Sequence, residues 1–195
     1  MHSVREVLKK DTSKSLLQSD FINAFNLANR DAAFLEVEEV FPECLSWVLS
    51  SYSSSSLLEF GDTTLTSETG FHQGDPLASL LFSLVLHPVV KTIQEEVPDL
   101  KVNAWFLDHG AHVGTREELQ QVVNILEREG PTRGLHLSTS STTHHPDRPK
   151  TTVWSPSNQD SDPDDQLLTT VTRVEDSGTI LLGAPLGAQP LSGRR

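Results

Sequence analysis

Two aspartates and one glutamine–glycine pair are the residues whose types and spacing could carry out chemistry. Asp20 ends a short apolar run, Gln73-Gly74 lies in the loop GFHQGDP, and Asp108 follows a second apolar run, KVNAWFL. A single aspartate at the end of a strand is usually a cap or a turn residue. Two that meet at one edge of a sheet can share two Mg²⁺ ions about 3.5–4 Å apart and catalyse phosphoryl transfer. Asp20 and Asp108 could therefore hold divalent cations if the fold brings them to one sheet edge.

The same residues have plainer interpretations, which stay open at this point. Asp108-His109 could be an ordinary hairpin turn, because Asp and Gly favour turns for their own reasons. Asp108, His109 and His112 form a D-H-x-x-H cluster that could bind zinc, although neighbouring residues on a strand point to opposite faces. His144-His145 lies in a polar loop and is expected to be solvated. With neither a Gly-x-Ser-x-Gly elbow nor a P-loop, nothing supports a hydrolase or an NTPase.

The strands that must position these residues are short and separated by turn signals. Ser15–Phe21 is predicted as a buried strand, and LLEF-GD-TTLTSE as a hairpin that turns at Gly61-Asp62. A strand over 101–107 should turn at Asp108-His109-Gly110 and return over 111–114. Further strands are predicted at 150–154 and from Gly178.

Helices are predicted between these strands, giving an α+β fold with an antiparallel sheet packed on helices. Phe34, Val37 and Phe41 repeat at about one turn, and a second short helix follows over 45–52. The leucine-rich stripe after Pro76 indicates a core helix, which Pro88 should kink or end at its first half. A last helix should follow Thr115 as its cap.

Charge and composition set separate limits on the function. The 195 residues carry 15 Lys+Arg against 27 Asp+Glu, a net charge of −12, and only 36% are hydrophobic. Nucleic-acid affinity comes largely from Lys and Arg, so composition alone argues against a polyphosphate partner. The single cysteine, Cys44, excludes an intramolecular disulfide. Without a signal peptide or an apolar run near ~18 residues, we expect an intracellular chain with no membrane partner.

The order of the motifs resembles the reverse transcriptases of non-LTR retrotransposons. LLQSDFINAFNLANR matches the first palm motif of that family, and GFHQGDPLASLLFSLVLHPVV matches its Gly-x-x-Gln-Gly-(Asp/Ser)-Pro-Leu loop and helix. WFLDHG falls where the family carries aromatic-x-Asp-Asp. KTTVWSP is similar to the lysine-bearing strand that follows, and GTILLGAPLG to the turn that grips the primer. The resemblance covers roughly residues 15–188 and implies a polymerase palm.

The resemblance implies RNA-directed DNA polymerisation with two Mg²⁺ ions as cofactors. Asp20 and Asp108 would be the catalytic metal ligands, helped by the backbone carbonyl of Phe21. One ion would activate the attacking 3′-hydroxyl and the other would hold the triphosphate. The implied partners are an RNA or DNA template with its primer and deoxynucleoside triphosphates.

Five residues would bind the nucleotide in this family. Phe25 would be the bulky side chain that rejects a 2′-hydroxyl, and Phe21 would bind the nucleotide as well. Gln73 and Gly74 would pack against the incoming nucleotide and template. Lys150 would lie near the leaving phosphate.

The sequence departs from the family in three respects. His109 replaces the second adjacent aspartate, and imidazole is a poor Mg²⁺ ligand. Residues 31–43 carry five acids and no base. The basic fingers before the first motif and the thumb after the last are expected to be missing, which makes this a partial domain.

These observations lead to one division of the chain and two candidate functions. Residues 1–14 are a polar lead-in and 15–137 the palm core; 138–177 form a polar, acidic, partly disordered insert, 178–188 a primer-grip-like strand and turn, and 189–195 a tail. The chain is either a retrotransposon-derived reverse transcriptase domain or a catalytically inactive remnant that acts as a binding or interaction module.

Overall fold

The computed structural model describes residues 2–140, 142, 150–156, 168–174 and 178–187. His144-His145, most of the acidic insert and the tail lie outside these residues, so the predictions made for them stay predictions. The described elements, in chain order, are α1 (His2–Lys10), β1 (Ser15–Ser19), α2 (Ala24–Leu27), α3 (Arg30–Val40), α4 (Leu45–Tyr52), β2 (Ser56–Phe60), β3 (Thr63–Ser67), α5 (Pro76–Glu96), β4 (Val102–Phe106), β5 (His109–Gly114), α6 (Arg116–Glu129), β6 (Thr152–Trp154), β7 (Thr172–Val174), β8 (Gly178–Leu181) and β9 (Ala184–Gly187).

The main sheet has five strands in the order β4-β5-β1-β6-β7. β1 lies in the middle and pairs antiparallel with both β5 and β6, while β6 and β7 pair in parallel. Two separate hairpins, β2–β3 and β8–β9, complete the β structure of the described chain. The predicted α+β fold, with a mainly antiparallel sheet packed on helices, is confirmed.

The central strand β1 is buried on both faces. Successive strand residues point to opposite sides, so Leu17 joins the large core formed with α5 and α6, whereas Leu16 packs on the other side. That second core includes Val4 and Leu8 of α1 and Leu181 of β8. The predicted polar lead-in therefore contains an amphipathic helix, α1, that covers the second face of the sheet.

Helix α5 is the longest helix of the described chain and contributes its buried residues to the large core. It runs unbroken from Pro76 to Glu96 with Pro88 inside it, so the expectation that Pro88 could end its first half is wrong. By length and composition α5 could also cross a membrane, with a mean hydropathy of 1.6 over its most apolar window. Polar residues such as Ser79, Ser83 and His87 interrupt the apolar stretch, so no continuous apolar run marks this helix in the sequence. Half of that window is buried in the structure, as in the core helix of a globular domain.

The β4–β5 hairpin turns one position earlier than the sequence predicts. Phe106 pairs with His109, so Leu107 and Asp108 form a two-residue turn and β5 already begins at His109. Leu107 adopts φ 52, a conformation that a leucine rarely takes, so its residue type did not predict this turn. The expected Asp108-His109-Gly110 turn is wrong, and His109 is a strand residue.

The loop before α5 is held against the segment after β1 by a close backbone approach. Phe71 N donates to Phe25 O at 2.7 Å, and Gly70 N donates to Ala28 O at 3.0 Å. Gly70 has φ 69, and a Cβ there would lie 2.3 Å from backbone atoms of Phe25 and Asn26. Gly61, at φ 58, has open space instead.

We predict that Gly70→Ala destabilises the fold far more than Gly61→Ala. Both substitutions force alanine into the left-handed region, at a cost of roughly 1–2 kcal/mol. Only Gly70→Ala also pushes backbone from backbone, so its free energy of unfolding should fall by at least about 2 kcal/mol more. Urea denaturation of the two variants measures the difference, and equal losses would contradict the close approach at Gly70.

Candidate functional site

Asp20 lies immediately after β1, directly opposite His109. The register of the pair runs from Ser15 opposite Gly114 to Ser19 opposite Gly110, and its next step sets Asp20 against His109. Asp108, the other expected metal ligand, lies one residue beyond, at the tip of the β4–β5 hairpin. The strand register therefore places a histidine, and not a carboxylate, across from Asp20.

The imidazole of His109 contacts both aspartates. Its Nε2 lies 3.2 Å from Asp20 Oδ2, and its Nδ1 lies 3.1 Å from Asp108 Oδ1. Ionised carboxylates only accept hydrogen bonds, and a ring nitrogen of His109 can donate to one of them. The imidazole therefore bridges the two aspartates.

Lys150 approaches the remaining oxygen of Asp20. Lys150 Nζ lies 3.4 Å from Asp20 Oδ1, and the Lys150 side chain is 64% exposed whereas that of Asp20 is only 8% exposed. Desolvation by burial raises the pKa of Asp20, and the nearby Lys150 and His109 partly offset that rise. Lys150 and His109 therefore favour the ionised form of Asp20.

The backbone of Asp20 is fixed by the segment that leads into β6. Ser138 N donates to Asp20 O at 2.8 Å, and Thr151 Oγ1 lies within hydrogen-bond distance of the same oxygen at 3.2 Å. Asp20 N in turn donates to Thr151 Oγ1 at 3.3 Å. Lys150, next to Thr151, is brought to the carboxylate by this anchoring.

A small cavity of about 130 Å³ adjoins this group of charges. Asp20, His109 and Lys150 line one part of it, and Val4 of α1 and Leu182 of the β8–β9 turn line another. Arg5 of α1 donates to the carbonyl of Pro185 in β9 at 2.7 Å, which links the helix to that hairpin. The predicted strand and turn from Gly178 thus form a complete hairpin beside the candidate site.

The residues expected to bind a nucleotide divide into two groups. Phe21 is buried beside the site, with its ring stacked on Trp105 at 6.0 Å. Phe25 is half-buried and stacks on Phe82 of α5 at 4.7 Å, so its ring packs on the core.

Gln73 and Gly74 are exposed in the loop that precedes α5. Their loop joins the Phe25 segment through the Phe71 hydrogen bond, and no hydrogen bond described for residues 2–140 connects either of them to Asp20 or Asp108. The structure links Asp20 to Asp108 through His109 and to Lys150 directly, and leaves the loop as a separate feature. The roles proposed for all seven residues stay predictions.

Comparison with known proteins finds similar folds among solved structures but no relative by sequence. No family model and no curated protein matches the chain. Telomerase of Candida albicans, solved in complex with a TWJ fragment of telomeric RNA, matches at a TM-score of 0.60 and 14% identity, covering 93% of this chain. Apo telomerase of Candida tropicalis matches at 0.53 and 13% identity over 70% of this chain.

The fold is reverse-transcriptase-like. Telomerases are reverse transcriptases, and this chain spans only 32% of the length of each of these two telomerase chains. At such low identity the match establishes the fold and leaves the non-LTR type and the activity as proposals.

The donor set of this reverse-transcriptase-like site does not fit a pair of Mg²⁺ ions. Mg²⁺ prefers free carboxylate oxygens and water, and it binds imidazole poorly. Here one oxygen of Asp20 faces Lys150 and the other faces His109. Within the described ranges, no group of three His, Cys, Asp or Glu side chains could hold a metal ion. The Asp108–His109–His112 cluster, which could have bound zinc, is therefore not such a group. The two Mg²⁺ ions stay a prediction.

Sequence reasoning did not find the buried support next to the site. His112 is fully buried, with its Nε2 3.1 Å from Ser19 Oγ and its ring edge-on to Trp105. Gly110 makes room for this packing, because a Cβ there would lie 2.2 Å from Ser19 Oγ. The alternation of β5 was the available signal, since His112 and Gly110 share a face.

We predict that His112 makes the protein less stable in acid. Burial lowers the pKa of His112 from its ordinary 6.5 to about 3. Between these values the unfolded chain binds a proton that the folded chain does not, so the free energy of unfolding falls as the pH drops below 6.5. The contribution of His112 is complete above pH 6.5 and its slope is at most about 1.4 kcal/mol per pH unit.

Urea unfolding of His112→Gln at about pH 7 and about pH 5 tests this linkage. Glutamine can still bond to Ser19 but does not titrate, so the variant should lose less stability in acid than the parent. The matched control, His87→Gln, replaces an exposed histidine of α5 and should behave like the parent. Equal acid losses in all three proteins would contradict a neutral buried His112.

Proposed function

We propose that this chain is a reverse-transcriptase-like domain of retrotransposon origin that no longer transfers nucleotides and acts as an interaction module. The motif order supports the retrotransposon origin, and the fold supports the reverse-transcriptase-like part of the proposal. The contacts of Asp20 carry the rest, because Lys150 and the ring of His109 lie at the two oxygens that would face metal ions in an active site.

The position of His109 explains how a histidine in place of the family's second aspartate would weaken metal binding. The adjacent carboxylate of the family would add a third anion to the pair Asp20 and Asp108, and a site with three anions needs cations to be stable. With His109 in that place, the ring contacts a carboxylate oxygen of each aspartate, and no third anion is added. A bound ion would have to displace the ring before reaching Asp20.

The net charge supports the same proposal. A polymerase holds its template mainly through contacts from Lys and Arg to phosphates. This chain has 15 such residues against 27 acids. Within the site, Lys150 is paired with Asp20 and faces the cavity beside it. We therefore propose weak binding to template and primer, although the telomerase of Candida albicans was solved with an RNA fragment.

Primer extension together with Mn²⁺ binding tests the proposal. The parent chain should extend no DNA primer on an RNA template with either Mg²⁺ or Mn²⁺, and should show little Mn²⁺ binding by electron paramagnetic resonance. His109→Asp removes the ring and adds a carboxylate, so its Mn²⁺ affinity should rise by about tenfold or more.

Two matched variants assign the effect to this site. His109→Asn removes the ring without adding charge and should gain much less Mn²⁺ affinity than His109→Asp. Asp20→Asn added to His109→Asp should abolish the gain. Primer extension by the parent chain that disappears in Asp20→Asn would contradict the proposal and establish a polymerase.

A further inference from the structure

One stretch of the chain exposes an unusual share of large apolar side chains. Of the twelve large hydrophobic residues found exposed in the described structure, seven fall between residues 31 and 69. These seven are Leu35, Val40, Phe41, Trp47, Leu57, Leu58 and Leu65. Leu57 is 73% exposed, Leu35 66% and Trp47 60%. Exposed apolar side chains concentrated in one region mark an interaction surface. We call residues 31–69 the α3–β3 surface.

The charge of the α3–β3 surface has a single sign. The segment contains eight acids and no Lys, Arg or His: Asp31, Glu36, Glu38, Glu39, Glu43, Glu59, Asp62 and Glu68. Glu36 is ion-paired with Arg133 at 2.9 Å. The other seven acids are exposed, and the described part of the chain offers them no salt bridge. The surface is therefore both apolar and uniformly negative.

Helix α3 shows how the two properties combine. Arg30, Ala33 and Val37 are buried on one side of the helix. Leu35 stands on the exposed side, with Asp31 one turn before it and Glu39 one turn after it, because residues four apart are neighbours on a helix. An apolar side chain between two carboxylates matches a partner that presents an apolar side chain between two cations.

The β2–β3 hairpin also lacks a covering element within the described structure. Leu58 and Leu65 are cross-strand partners, and they remain 46% and 52% exposed. An isolated two-stranded hairpin is at best marginally stable in water. Arg30 anchors this one, since it donates to Ser67 Oγ at 3.3 Å and to Gly70 O at 2.8 Å. The anchoring ties the end of the hairpin to the first residue of α3 and leaves Leu58 and Leu65 exposed.

We propose that the α3–β3 surface docks a basic amphipathic segment of a protein partner. The exposed leucines and Trp47 would bury the apolar side of that segment, and the seven free acids would face its lysines and arginines. Nucleic acid is disfavoured because its phosphates would meet these acids. A second copy of this chain is disfavoured because it would bring the same acids together. The inference rests on the proposed role as an interaction module and names the class of partner.

Titration of the full chain with synthetic peptides tests the docking. The probe is an amphipathic Lys/Leu helical peptide; its comparisons are a Glu/Leu peptide of the same pattern and a Lys/Leu peptide with scrambled order. Fluorescence reports the contact, because Trp47 is exposed whereas Trp105 is half-buried and Trp154 is buried. The Lys/Leu helix should bind, and both comparison peptides should bind at least about tenfold more weakly.

Variants place the binding on this surface. Glu38→Lys/Glu39→Lys should weaken binding by about tenfold, while Glu95→Lys/Glu127→Lys, the same charge change elsewhere, should change it within about twofold. Leu35→Ser should weaken binding, and Ile180→Ser should not. Calorimetry gives the affinities independently of fluorescence.

Several outcomes would overturn the proposal. The Lys/Leu helix could fail to bind, the scrambled peptide could bind equally well, or the two double variants could have equal effects. Saturable RNA binding that Glu38→Lys/Glu39→Lys alters would point to nucleic acid instead. A dimer that Leu35→Ser dissociates would point to a second copy of the chain. If the docking proposal fails, the metal-binding and primer-extension results are unaffected. If the proposed loss of nucleotide transfer fails, the peptide affinities are unaffected. The two proposals can therefore fail separately.

Discussion

The antiparallel register of β1 and β5 is the constraint on which the candidate site depends. It sets Asp20 opposite His109, and the turn at Leu107 and Asp108 then brings the second carboxylate to the other side of the same ring. A strand register cannot slip by one residue without moving every side chain to the wrong face. Since Leu16 and Leu17 are both fully buried on opposite faces, this register is fixed by the core.

A buried carboxylate needs positive charge nearby, and the identity of that charge separates the two candidate functions. Asp20 is 6% exposed, and burial raises its pKa, an effect that Lys150 and His109 offset only in part. In a polymerase, metal ions would face such a carboxylate. Here Lys150 and His109 lie at the two oxygens of Asp20, and both favour its ionised form.

Much of the fold could be predicted from the sequence because local signals agreed with it. The strand at Ser15, the hairpin at Gly61-Asp62 and the cap at Thr115 each had the expected residue types, and each is present. The core helix after Pro76 was predicted too, but its unbroken course past Pro88 could not be decided, because packing of its apolar side overrides the local preference of proline. The long-range pairing of β6 with β1 placed Lys150 at Asp20.

The contacts of His109 were the part of the site that sequence could not supply. The motifs located Asp20 and Asp108, but a leucine at φ 52 shifted the turn by one position and turned an expected loop residue into a strand residue. Crystals grown with millimolar Mn²⁺ test most directly whether His109 occupies the place of metal ions at Asp20, because anomalous diffraction locates any bound Mn²⁺. The structure should show His109 between the two aspartates and no Mn²⁺ on Asp20. A Mn²⁺ ion bridging Asp20 and Asp108, with the ring displaced, would contradict it.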